Sequence, residues 1–134
     1  MAGPCFTTRI DYRRQGVAAT ALAAAVEAIR KRGGGWVEAS ALAFAHHDPE
    51  LPKLRRTYRW RSEEVREHLK DWPEKHIPGV GGVKAGLAST RSLDHRGTMS
   101  MFERAGFHAI RRDDLASSNQ WWAPHDRVLM RMKV

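Results

Sequence analysis

The residues best suited to chemistry are Arg13-Arg14-Gln15-Gly16-Val17-Ala18, a short donor-rich turn. The two arginines carry fixed positive charge and forked donors that suit a phosphate. Gly16 and Ala18 put no bulk in the way of an anion approaching the backbone. Before the turn, residues 5–10 read CFTTRI, with Phe6, Thr8 and Ile10 on one side and Thr7 and Arg9 on the other. That alternation, rich in β-branched residues, predicts a strand. After it, Ala18, Leu22, Ala25, Val26 and Ile29 recur at helical spacing, while Thr20, Glu27 and Lys31 face away. The first amides of a helix lack an internal acceptor and carry the positive end of its dipole, so they attract an anion. Together the three pieces predict a strand–turn–helix phosphate site.

Other elements follow in order. The helix predicted over 16–32 closes with Arg30, Lys31 and Arg32 and then Gly33-Gly34-Gly35, as helix C-termini prefer. Residues 36–44, WVEASALAF, read as a strand buried on at least one face. Ser62 is placed as an N-cap, with Glu63 and Glu64 in the first turn, a stripe of Val65, Leu69 and Trp72, and Pro73 as the stop. A short helix over 98–105 ends at Gly106; FHAIRR and RVLMRMKV are strands.

Set in this order, the residues resemble the GNAT superfamily of N-acetyltransferases. Arg13-x-x-Gly16-x-Ala18, between a strand and an Ala-rich helix, is similar to that family's acetyl-CoA motif. Met99-Ser-Met-Phe102-Glu-Arg-Ala-Gly106-Phe107 resembles its short late helix ending in Gly-Phe before a return strand. The resemblance covers residues 5–44 and 95–134, with an insertion over about 45–94. It implies an α/β (α+β) class and a partial GNAT fold within a single domain, 1–134. The sheet would be mixed, of about four strands, with a long helix after the first strand and a short late helix. It implies acetyl-CoA as acyl donor, an amine as acceptor, and cofactor contacts from the backbone of Phe6, Thr7 and Thr8 with Arg13, Arg14, Gln15, Gly16, Val17 and Ala18. The family normally has several strands before this point, where this chain has four residues. A second copy completing the exposed sheet edge, an insert folded over it and a truncated relative are the alternatives; truncation is favoured, with activity weak or absent.

Catalysis of this kind is largely positioning, with a base for the amine and an acid for the thiolate. By resemblance the acid falls at Phe102, which has no proton to give, and an upstream asparagine at His95. His95 titrates in a useful range, but a surface histidine at a helix start is the commoner case. No carboxylate lies on the strand over residues 5–10, and nothing near Cys5 depresses its pKa. No catalytic residue is assigned.

At 134 residues and 42% hydrophobic, the chain has ordinary composition for one globular domain. One cysteine excludes an internal disulfide framework, and no apolar run approaches the ~20 residues of a membrane span. The lead MAGPCFTTRI lacks the layout of a signal peptide, which makes the cytoplasm the default location. Net charge of +8 favours anionic partners, coenzyme A or nucleic acid.

Within residues 53–61, Lys53, Arg55, Arg56, Arg59 and Arg61 interleave with Tyr58 and Trp60. Cations grip phosphates and aromatic faces stack on bases, so this is the alternative functional reading: a small basic nucleic-acid-binding protein. Inward packing of Tyr58 and Trp60 is the expectation set against it. His46, His47 and Asp48 read as a surface loop rather than a metal site, and residues 77–86, IPGVGGVKAG, as a flexible connection. Trp121-Trp122 either lines an acceptor pocket or packs.

Overall fold

The computed structural model describes residues 17–87, 98–122 and 124–134. In chain order it places α1 (Val17–Lys31), β1 (Trp36–Leu42), β2 (Ala45–His46), α2 (Glu50–Thr57) and α3 (Glu63–Leu69). Then come β3 (Glu74–Ile77), β4 (Gly81–Lys84), β5 (Gly86–Leu87), α4 (Met99–Arg104), β6 (His108–Arg112) and β7 (Arg127–Lys133). The chain is thus a mixed α and β protein. The strand predicted over residues 5–10 lies outside the described residues.

β7 runs through the middle of a three-stranded sheet in the order β1-β7-β6, antiparallel throughout. Among the described residues the small pairs are β2 with β5, parallel, and β3 with β4, antiparallel, and one isolated parallel bridge joins Leu42 to Thr98; the remaining strand of the expected mixed sheet, residues 5–10, lies outside the described residues. Alternation fixes the sheet's two faces. Val37, Ala39 and Ala41 on β1 and Val128, Met130 and Met132 on β7 are buried, while Trp36 and Lys133 lie opposite each other on the other face.

Leu22 and Val26 of α1 join this core, as do Phe102 and Phe107, whose rings meet edge to face at 5.2 Å. Each buried phenyl contributes about 2–3 kcal/mol of transfer free energy. Gly106 bends the chain between them at φ +104°, and a side chain there would press on Met132 Sδ. At the end of α1, Gly34 donates to Ile29 O at 3.0 Å with φ +73°, and a Cβ would collide with the Val134 carbonyl. Glycine is required at both positions for these reasons.

Residues 45–87 are more ordered than a long loop. Leu51, Val65 and Leu69 form a second small core with Leu54, Trp72, Trp121 and Trp122 packed against it. α2 begins where Asp48 Oδ1 accepts the amides of Glu50 and Leu51 at 3.0 and 3.2 Å. Pro52 falls in its first turn, where a missing N–H costs nothing. Ser62 caps α3 by accepting from Val65 N at 3.4 Å, as its position predicts. The flexible connection over 77–86 is corrected: β3 and β4 pair as a hairpin, and Val83 is fully buried in the main core.

Candidate functional site

The apolar stripe of α1 dictates its placement, since burying Leu22 and Val26 leaves the polar positions in solvent. The helix starts at Val17, with no acidic residue in its first turn and Arg30 and Lys31 in its last. The amides of that first turn have no intrahelical acceptor, so the helix start retains partial positive charge. Of the expected cofactor-binding residues, Val17 opens the helix and Ala18 is half-buried. Phe6, Thr7, Thr8, Arg13, Arg14, Gln15 and Gly16 lie outside the described residues, as do Cys5 and His95.

Phe102 sits on α4, whose start is capped by Thr98 Oγ1 accepting from Met101 N at 3.4 Å. Its ring is fully buried against Phe107, so this position packs the core and neither gives nor takes a proton. β1 pairs with β7 along one edge; on the other, the described residues supply a single parallel bridge, Leu42 with Thr98.

Among the described residues, no group of three or more His, Cys, Asp or Glu side chains is placed to hold a metal ion. His46 rests edge-on against Trp72, with centroids 5.1 Å apart. Asp48 meets His68 Nε2 at 2.6 Å as well as capping α2. Burial pushes the Asp48 carboxyl up, but hydrogen bonds from His68 and from the Leu51 and Glu50 amides outweigh it and hold the pKa below its ordinary value.

The basic aromatic segment departs from expectation. Tyr58 and Trp60 do not pack inward; they are 43% and 58% exposed. The physical reason is that Leu51, Val65 and Leu69 already fill the core beneath, and Tyr58 leaves α2 in an extended conformation. Trp121 and Trp122 take the remaining seats, meeting edge to face at 5.5 Å. Arg55 donates to the Trp122 carbonyl at 2.6 Å, and its burial pushes the guanidinium pKa down.

Sequence reasoning missed what surrounds these tryptophans. The Arg61 guanidinium lies 4.4 Å from the Trp122 ring and that of Arg66 4.6 Å from Trp121. Beside them opens a cleft of about 360 Å³ between α3 and the β3–β4 hairpin, lined by Arg66, Lys70, Trp72, Glu74, Lys84 and Trp121. The spacing of Arg66 and Lys70, one turn apart on a helix, was the available signal.

No helix of the described residues is long and apolar enough to cross a membrane. No family model matches the chain, and no curated protein or solved structure matches it either.

Proposed function

We propose that the chain is an acetyl-CoA-dependent N-acetyltransferase-like protein, built as a partial GNAT fold, in which the start of α1 binds the donor's pyrophosphate. What supports this reading is the residue order leading into α1. Val17, the first described residue, already belongs to α1; Arg13-Arg14-Gln15-Gly16 precede it in the sequence, and the described first turn holds no carboxylate to compete for an anion. The succession of α1, β1, the short α4, Gly106 at positive φ and the β6–β7 pair supports it as well.

The donor set fits the group. By residue type, Arg13, Arg14 and the backbone amides of Gly16 to Ala18 suit a diphosphate, and the β1 edge where the described residues supply only the Leu42–Thr98 bridge suits a neighbouring extended segment. Bound acetyl-CoA supplies a thioester open to attack by a neutral amine. The chain's own residues orient the donor, which is where most of the rate enhancement in such transfers arises. With Phe102 at the expected acid position, turnover is slow or absent.

Calorimetric titration with coenzyme A, comparing wild type with Gly16→Asp, tests the reading. A carboxylate beside the diphosphate abolishes measurable binding; equal affinity in both proteins rejects the proposal.

A further inference from the structure

We propose that the corner between α2 and α3, together with the cleft beside it, binds a single-stranded nucleic acid. The surface is continuous through its contacts. Arg61 covers Trp122, Trp122 meets Trp121, Trp121 carries Arg66, and Arg66 lines the cleft with Lys70, Trp72 and Lys84, three cations against the single carboxylate of Glu74. Just before Arg61 in the chain come Tyr58 and Trp60, 43% and 58% exposed, interleaved with Arg56 and Arg59.

Two exposed aromatic rings beside cations offer stacking faces for bases and donors for phosphates. Among the described residues, no carboxylate forms an ion pair with Arg56, Arg59, Arg61 or Lys84. The ion pairs that do occur here, Arg66 with Glu63 at 3.7 Å and Lys70 with Glu67 at 2.7 Å, are solvent-exposed and exchange readily for phosphate. The chain's net charge of +8 adds long-range attraction for a polyanion. Exposed rings need bases that are unstacked, and a cleft of about 360 Å³ accepts a base but not a duplex, so the strand is single.

Fluorescence anisotropy with labelled oligo-dT and oligo-U of roughly twelve nucleotides, over a salt series, tests this against a duplex of equal length. Single strands bind more tightly than the duplex. Trp60→Ala and Tyr58→Ala each weaken binding about fivefold or more, the scale of one lost stacking contact. Arg59→Ala lowers the salt slope by about 0.7, whereas Arg32→Ala, an exposed arginine outside the surface, leaves it unchanged. Because Tyr58 and Trp60 stand in solvent, Tm stays near wild type in both variants; should either unfold, Arg59→Ala decides. Absent binding at low salt, duplex preference, or equal effects of Arg32→Ala and Arg59→Ala overturn the proposal. Gly16→Asp leaves this binding intact, so its fate is independent of the acetyl-CoA reading.

Discussion

Asp126 and Lys84 are joined twice: Asp126 Oδ2 accepts the Lys84 amide at 2.7 Å, and the Asp126 amide donates to the Lys84 carbonyl at 3.2 Å. The carboxylate is 2% exposed and also faces Arg112 Nε at 3.7 Å. One buried residue thus fastens the β3–β4 hairpin to the start of β7 and to β6, holding one wall of the basic cleft.

Removing that carboxylate leaves a buried amide without an acceptor, which costs about 2–3 kcal/mol. Asp126→Ala therefore lowers Tm by roughly 10 °C in a domain of this size, read by circular dichroism. Asp126→Asn, which keeps an acceptor, loses about half as much. Equal stability of the alanine variant and wild type contradicts this role.

The Asp48–His68 contact gives stability an acid limb. Burial raises the Asp48 pKa, yet the hydrogen bonds from His68, Leu51 and Glu50 bring it below the ordinary carboxylate value. A folded-state pKa lower than the unfolded one means the stabilisation is complete above about pH 4 and is lost as pH falls through the folded value. Tm measured from about pH 6 down to about pH 2 falls more steeply in wild type than in Asp48→Asn, which does not titrate. Parallel curves exclude Asp48 as a source of the acid limb.

Phe102→Tyr places a hydroxyl at the position the resemblance assigns to the acid. The ring is fully buried against Phe107, so the hydroxyl loses water and costs about 1–3 kcal/mol. The expected outcome is a lower Tm with no gain in acetyl transfer, measured by release of free thiol from acetyl-CoA. A faster enzyme at unchanged Tm refutes the packing role.

The elements with a clear hydrophobic period were legible. α1, expected over 16–32, is described from Val17 to Lys31; β1, β6 and β7 fall within two residues of their expected bounds at each end. Ser62 as cap, the two glutamates after it and the stripe of Val65 and Leu69 together announced α3. α2 was hidden because Pro49 and Pro52 look like breakers, although both sit where a helix tolerates proline. The β3–β4 hairpin was hidden by its glycines, which serve the turn and the close approach of Glu74 to Gly82. For the candidate sites the contrast is sharper. The proposed phosphate turn is contiguous, so its residue types read directly from the chain, while residues 13–16 lie outside the described residues. The basic cleft draws Arg66, Lys84 and Trp121 from three stretches that meet through tertiary packing, and no local pattern encodes such a meeting.

The most direct test of the central claim is an amide-resolved NMR titration with coenzyme A. Saturable shifts concentrated at the backbone amides of Gly16, Val17 and Ala18, absent in Gly16→Asp, are the predicted result. Shifts that leave those amides still and gather instead on Tyr58, Trp60 and Trp121 would contradict it.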